Sequence, residues 1–160
     1  LRIRTQASAL HAQAFAAMGF VPVPLDVRDF VAQVAGDAFD AQENPLANTW
    51  NFGVHRLHRH LTLSGHLFGA MAVICSEAAF RRWPRQVQEA VAESVADATE
   101  HQFRLAAAED AAILARIDPG GNEVVNLDAD EHAQFVACVA PMLARHRAAL
   151  DPRLFALLGA

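Results

Sequence analysis

Apolar and polar positions alternate at the start of the chain, where Leu1 and Ile3 interleave with Arg2 and Arg4, and this period of two predicts a strand. Beyond Ser8 the spacing becomes helical through Leu10, Ala14, Phe15 and Met18, and Gly19 ends the run. Phe20 to Leu25 is an extended apolar stretch whose prolines, Pro22 and Pro24, fit only an edge or a strand end. A short helix is expected around Val27 to Ala35, closed by Gly36. The order β-α-β-α predicts a parallel sheet in an α/β layer architecture.

Phe39 to Asn44 (FDAQEN) predicts a short strand ending in polar groups, and Pro45 fits the first turn of a helix reaching Asn51. Junctions of this kind aim backbone donors and side chains into one crevice, where open α/β sheets bind ligands. Leu61 to Leu63 and Leu67 to Ser76 read as two further extended segments, the second continuous enough to be buried on both faces. Ser76 caps a short helix ending at Trp83. From Pro84 apolar residues recur at Val87, Val91, Val95, Ala98, Leu105 and Ile113 until Asp118-Pro119-Gly120-Gly121 breaks the pattern. This predicts one helix of roughly 50 Å at ~1.5 Å per residue. Helices average ~11 to 12 residues, so one this long is expected to bridge two packed bodies, with part of its apolar stripe bare if one body is missing. Glu123 to Leu127 predicts a short strand, and Asp128 with Glu131 a capping box opening the last helices, which carry Phe135, Val139, Leu143 and Leu150.

Composition narrows the classes. The 160 residues are 53% hydrophobic, enough for a sizeable core, and no apolar run reaches the ~18 to 20 residues of a membrane span. A formal charge of -5 without a Lys/Arg-rich run argues against nucleic acid as a partner. Cys75 and Cys138 each sit among apolar neighbours and read as buried small hydrophobes rather than a disulfide. Leu1 opens directly into a strand, which predicts that further chain precedes it.

Three chemistries compete for the polar residues. His55, His58, His60 and His66 admit a metal-dependent enzyme, although no Cys or carboxylate stands beside them at ligand spacing. Asp40 and Glu43 admit an acid/base pair, and no nucleophile elbow or phosphate loop accompanies them. The third is recognition: Arg4 ends the first strand, and Gln42, Glu43 and Asn44 end a later strand of the same expected sheet. A guanidinium fork matches a carboxylate, and an amide adds a donor, which holds an acid without transforming it.

The stretch FDAQENPLANTWNF followed by VHRLHRHLTLSGHL resembles the signature of DctP-type solute-binding proteins of tripartite ATP-independent periplasmic (TRAP) transporters, DGQENP and then a KYLTLTNH-like strand. The resemblance runs back through RIR and VPVPL, and forward through SEAAFRRWPRQVQEAV, similar to the family's xxFxxLPxxLQxxV segment. It implies the second lobe of a type II periplasmic-binding-protein fold, with a long lobe-spanning helix, over residues 1–160 and a first lobe that this chain lacks. It further implies a periplasmic, non-enzymatic carrier that takes no cofactor. Such a carrier captures a small organic acid, a C4-dicarboxylate or a related carboxylate, for the permease subunits of a TRAP transporter. Presentation of the ligand to a sensor protein remains an alternative. Arg4 matches the Arg of the family's KxR strand, which pairs with the ligand carboxylate, and Asn44 matches the Asn of QENP, which helps to bind it. Gln42, Val27, His66 and Phe68 are the further pocket candidates. Val27 stands where the family has an aromatic wall, and Ala41 replaces the Gly of Asp-Gly. A chain with a bare apolar helix face is also expected to dimerise.

Overall fold

The computed structural model describes residues 1–153 and divides into two compact units, one formed by Leu1–Ser64 with the chain from Asp118 onward, the other by Gly65–Ile117. The first unit opens with β1 (Arg2–Thr5), α1 (Ala9–Ala17), β2 (Val21–Pro24), α2 (Val27–Gln33), β3 (Ala41–Gln42) and α3 (Leu46–Asn51). A short 3-10 turn, Val54–Arg56, precedes β4 (His60–Leu63). The second unit holds α4 (Glu77–Phe80) and α5 (Arg85–Leu114), after which β5 (Glu123–Asn126) and α6 (Ala129–Ala148) return to the first.

Three strands form a parallel sheet in the order β2-β1-β3, and β4 pairs with β5, also in parallel. The prolines of β2 explain its place at the edge, because Pro22 and Pro24 cannot donate to a second neighbour. Helix α1 ends as its sequence requires. Gly19 takes φ 89°, and the Phe20 amide reaches back to the Phe15 carbonyl at 3.0 Å, so the chain reverses into β2. Phe15 and Phe20 then pack edge to face with ring centroids 5.8 Å apart.

The core lies under the crossover of α2. Phe30, Val34, Phe39 and Val54 form its buried cluster, with Leu25 and Phe52 packed against it. Helix α2 is started by Asp26, whose side chain accepts from the Arg28 amide at 3.0 Å. At α6 the expected capping box is present, with Asp128 accepting from the Glu131 amide at 2.8 Å and Glu131 from the Asp128 amide at 3.0 Å.

Asn122 is a joint that spacing alone does not reveal. Its Nδ2 donates to the carbonyls of His55 (2.6 Å), His58 (3.0 Å) and Arg59 (3.4 Å), and it is buried just before β5 pairs with β4. Removing it takes a donor from three carbonyls at once. Asn122→Ala is expected to cost ~1 to 3 kcal/mol in urea unfolding. A cost below ~0.5 kcal/mol, the level of an ordinary surface substitution, would mean the joint is not structural.

In the second unit Ser76 caps α4, its hydroxyl accepting from the Ala79 amide at 3.4 Å. Helix α5 runs for 30 residues, close to the pattern read from Pro84. Val87, Val91, Phe103 and Leu105 on it are exposed. Two expectations fail in physical terms. Leu67 to Ser76 forms no strand and is not buried, with Phe68, Met71 and Ile74 exposed at 92%, 93% and 88%. A strand buried on both faces needs neighbours on both edges, and no described residue pairs with this segment. The cysteines are also exposed, not buried. Cys75 lies in that unpaired segment. Cys138 lies on α6, where Val136 and Ala140 share one face and the residue between them turns roughly 200° away, so apolar neighbours in sequence do not shelter it.

Candidate functional site

Because β1 and β3 run parallel, their C-terminal ends fall side by side, with Arg4 opposite Gln42 in the register. The Glu43 amide continues the pairing by donating to the Arg4 carbonyl at 3.3 Å. The strand ends singled out in the sequence therefore meet. This is the edge of an open α/β sheet at which such folds place ligands.

Arg4 is the unusual residue of the site, because only 1% of it is exposed. Its Nε and Nη2 donate to the Leu25 carbonyl at 3.1 and 2.8 Å, and its guanidinium lies 4.6 Å from the centroid of the Phe30 ring. Nη1 is buried without a hydrogen-bond partner. Burial pushes the Arg4 pKa below its usual value, while the charges of Glu43 and Asp26 oppose the shift. A guanidinium stays protonated at neutral pH, so the site holds a fixed cation with a donor to spare.

Gln42 and Asn44 are tied to each other and to α3. The Asn44 amide donates to Gln42 Oε1, and Gln42 Nε2 donates to Thr49 Oγ1 at 3.4 Å. Glu43 points elsewhere: it is buried, and its Oε1 accepts from the Gln6 amide at 3.2 Å and meets His11 Nδ1 at 3.3 Å. The acid/base pairing of Asp40 with Glu43 is not what these side chains do. Asp40 instead clips Arg2, accepting from its backbone amide at 2.8 Å and from Nη2 at 2.8 Å. Val27 is the first residue of α2 and is exposed. His66 and Phe68 belong to the second unit and are exposed there.

The Arg2–Asp40 clip has a pH signature. The Arg2 side chain, and then its backbone amide, hold the Asp40 carboxyl down at about 2, against an ordinary 3.8. A depressed carboxyl contributes stability that is present above pH 3.8 and lost as the pH falls through about 2. Asp40→Asn should therefore unfold earlier in urea than the parent at pH 5, and the gap should close near pH 2. A gap that stays constant over that range would exclude the clip as its source.

The remaining histidines have separate employment. His55 stacks on Trp50, the rings 4.3 Å apart and 7° from parallel, with Nδ1 3.4 Å from the Thr49 carbonyl. His60 pairs with Glu123 at 3.3 Å, both side chains more than half exposed. Among the described residues no group of three His, Cys, Asp or Glu side chains is placed to hold a metal ion. Nor is any described helix long and apolar enough to cross a membrane. His11 was not among the residues the sequence singled out. Its only local signal is an imidazole within an otherwise alanine-rich helix.

The C-terminal edge of the parallel sheet thus carries a buried cation, Arg4, with one donor that has no hydrogen-bond partner. The chain belongs to the bacterial extracellular solute-binding protein family 7, DctP, whose model matches residues 1–149. It is 27% identical over 133 residues to the 2,3-diketo-L-gulonate-binding periplasmic protein YiaO of Escherichia coli, covering 83% of this chain and 40% of that protein. It is 25% identical over 143 residues to the C4-dicarboxylate-binding periplasmic protein DctP of Rhodobacter capsulatus, covering 89% of this chain and 43% of that one. In fold it is similar to a TRAP periplasmic solute-binding protein of Sulfurospirillum deleyianum with bound succinate. That match has a TM-score of 0.82 and 23% identity, and it covers 99% of this chain and 53% of the other. The expected type II binding-protein fold is thus the observed one. The chain spans about two-fifths of the length of the curated relatives it matches.

Proposed function

We propose that this chain is the second lobe of a periplasmic carrier that captures a small organic acid, with Arg4 as carboxylate clamp and Asn44 as second donor. The observation that carries the proposal is the buried Nη1 of Arg4, a charged donor without a hydrogen-bond partner, beside the likewise unpartnered hydroxyl of Thr5. An unsatisfied buried donor is costly, and a carboxylate oxygen relieves that cost with a charge-assisted bond. Relatives support the ligand class. One is named for C4-dicarboxylates and one for 2,3-diketo-L-gulonate, and similar structures hold succinate, L-fuconate and β-D-galacturonate. All of these are carboxylates.

Nothing in the site performs chemistry on the ligand in this reading. The complete protein supplies a first lobe to close over the acid and delivers it to the permease subunits of a TRAP transporter. Gln42 orients Asn44, while Val27 shapes the space around the body of the acid. The exposed apolar residues Phe68, Met71, Ile74 and Phe103 favour self-association wherever they are left uncovered.

Calorimetric titration of succinate, L-fuconate, β-D-galacturonate and pantoate into the full-length protein is the test. At least one acid should bind. Asn44→Ala should weaken that acid by ~1 to 3 kcal/mol, or about 5- to 150-fold, for the loss of one hydrogen bond to a charged group. Failure of every acid to bind would defeat the reading, and an unchanged affinity in Asn44→Ala would remove Asn44 from the site.

A further inference from the structure

The Asn44 side-chain nitrogen carries two hydrogens, and one of them is already engaged, because Nδ2 donates to Gln42 Oε1. With Asn44 as second donor, the other hydrogen goes to the carboxylate of the acid. Where that hydrogen points depends on which end of the Asn44 amide faces Gln42. A primary amide turned over by half a rotation exchanges its donor and its acceptor. Were Gln42 to turn over, its nitrogen would face Asn44, and Asn44 would have to answer with Oδ1. Its hydrogens would then swing to the far side. The sense of one amide therefore sets the sense of the next.

Gln42 is held at both ends. Its oxygen accepts from Asn44, and its Nε2 donates to Thr49 Oγ1 at 3.4 Å. Thr49 reaches it from the helix that follows the strand. Pro45 precedes α3, and the Thr49 amide closes a turn on the Pro45 carbonyl at 3.0 Å. Helical side chains tilt toward the N-terminus, so a hydroxyl at this position reaches back over the strand end that carries Gln42 and Asn44. Threonine is among the weaker helix formers, and local propensity does not account for its place here. Thr49 is buried, whereas Gln42 and Asn44 are half-buried. The helix is fastened beyond it as well. His55 Nδ1 lies 3.4 Å from the Thr49 carbonyl, the His55 ring stacks on Trp50, and the His55 carbonyl accepts from Asn122 at 2.6 Å. The register sets this relay beside Arg4, the partner of Gln42 across the sheet.

We propose that Thr49 is a positioning residue for acid binding: its hydroxyl fixes the sense of the Gln42 amide, and through it the direction in which Asn44 offers a hydrogen to the carboxylate. The inference rests on the reading of Asn44 as second donor. Thr49 itself touches no ligand. Without the hydroxyl, Gln42 is anchored at one end only, and its two orientations become closer in energy. In the wrong one, Asn44 no longer aims its free hydrogen where the acid sits.

The tightest-binding of succinate, L-fuconate, β-D-galacturonate and pantoate, titrated calorimetrically into the full-length protein and its variants, tests this. Thr49→Val removes the hydroxyl at nearly constant volume and should weaken the acid by about 2- to 10-fold, the range of one ordinary hydrogen bond. Thr49→Ser keeps the hydroxyl and should restore most of the affinity. A residue that only packs would show the reverse order, because Val fills the space and Ser leaves part of it empty. In an Asn44→Ala background Thr49→Val should have no further effect, since the group it positions is gone. Nitrogen NMR of the unaltered protein reads the same link without a variant. The side-chain amide hydrogens of Gln42 should exchange with water more slowly than those of the exposed Gln102, and those of Asn44 should shift when acid is added. Three results overturn the role of Thr49 while leaving Asn44 as donor: parent affinity in Thr49→Val, a loss that Ser does not restore, or a loss that persists in full beside Asn44→Ala. Gln42 hydrogens that exchange as fast as those of Gln102 have the same meaning. An unchanged affinity in Asn44→Ala removes the donor itself, and the relay falls with it.

Discussion

Arg4→Lys in the full-length protein is expected to weaken acid binding by ~2 to 5 kcal/mol, at least about 30-fold in dissociation constant. The size follows from what the guanidinium does here. Two of its nitrogens are spent on the Leu25 carbonyl, its face is on Phe30, and the third nitrogen has no hydrogen-bond partner. A lysine ammonium is a point charge without the fork, so it cannot hold Leu25 and a carboxylate in the same fixed geometry. Truncation also leaves the ligand carboxylate desolvated and unpaired, which accounts for much of the loss. Calorimetric titration of parent and variant measures the effect, and thermal melts establish that the variant folds. Equal affinities would show that Arg4 is not the clamp, and the correspondence with the family would then fail at its central position.

What the sequence could show depended on how local the cause was. Helix starts were legible because their determinants lie within four residues, as at Ser76 and at the Asp128–Glu131 capping box. The edge position of β2 was legible because proline lacks the donor that a central strand requires. The meeting of Arg4 with Gln42 followed from one assumption, that the strands are parallel neighbours, and the register supports it. Burial was harder to read. The apolar run around Met71 looks like a core strand, but burial depends on what else is beside it, and in this chain no described strand pairs with it. Asn122 and His11 escaped notice for the same reason. Asn122 acts 63 to 67 residues away in sequence, and His11 meets Glu43 across 32 residues. Neither separation carries a local pattern.

Phe30 connects the stability of the lobe to its site, and its removal should have the largest effect on folding. The ring is fully buried, and its centroid lies 5.7 Å from that of Phe39 and 6.4 Å from that of Phe52, with Val34 and Val54 completing the cluster. Phe30→Ala removes apolar contact and leaves a cavity that this small cluster can only partly close. The expected cost is ~3 to 5 kcal/mol. Domains of ordinary stability have only ~5 to 15 kcal/mol in total, so such a variant should be close to unfolding at physiological temperature. Phe30→Leu separates packing from electrostatics. It keeps most of the apolar volume and should cost less than about 1.5 kcal/mol of stability. It still removes the aromatic face beneath the Arg4 guanidinium, a contact of ~0.5 to 2 kcal/mol that also fixes the orientation of the fork. Urea unfolding of the two variants, with acid titration of Phe30→Leu, reads both terms. The expected pattern is a large loss of stability in Phe30→Ala, and a small loss of stability with a several-fold loss of affinity in Phe30→Leu. If Phe30→Leu binds the acid as tightly as the parent, the ring serves the core alone and Leu25 is sufficient to hold the clamp.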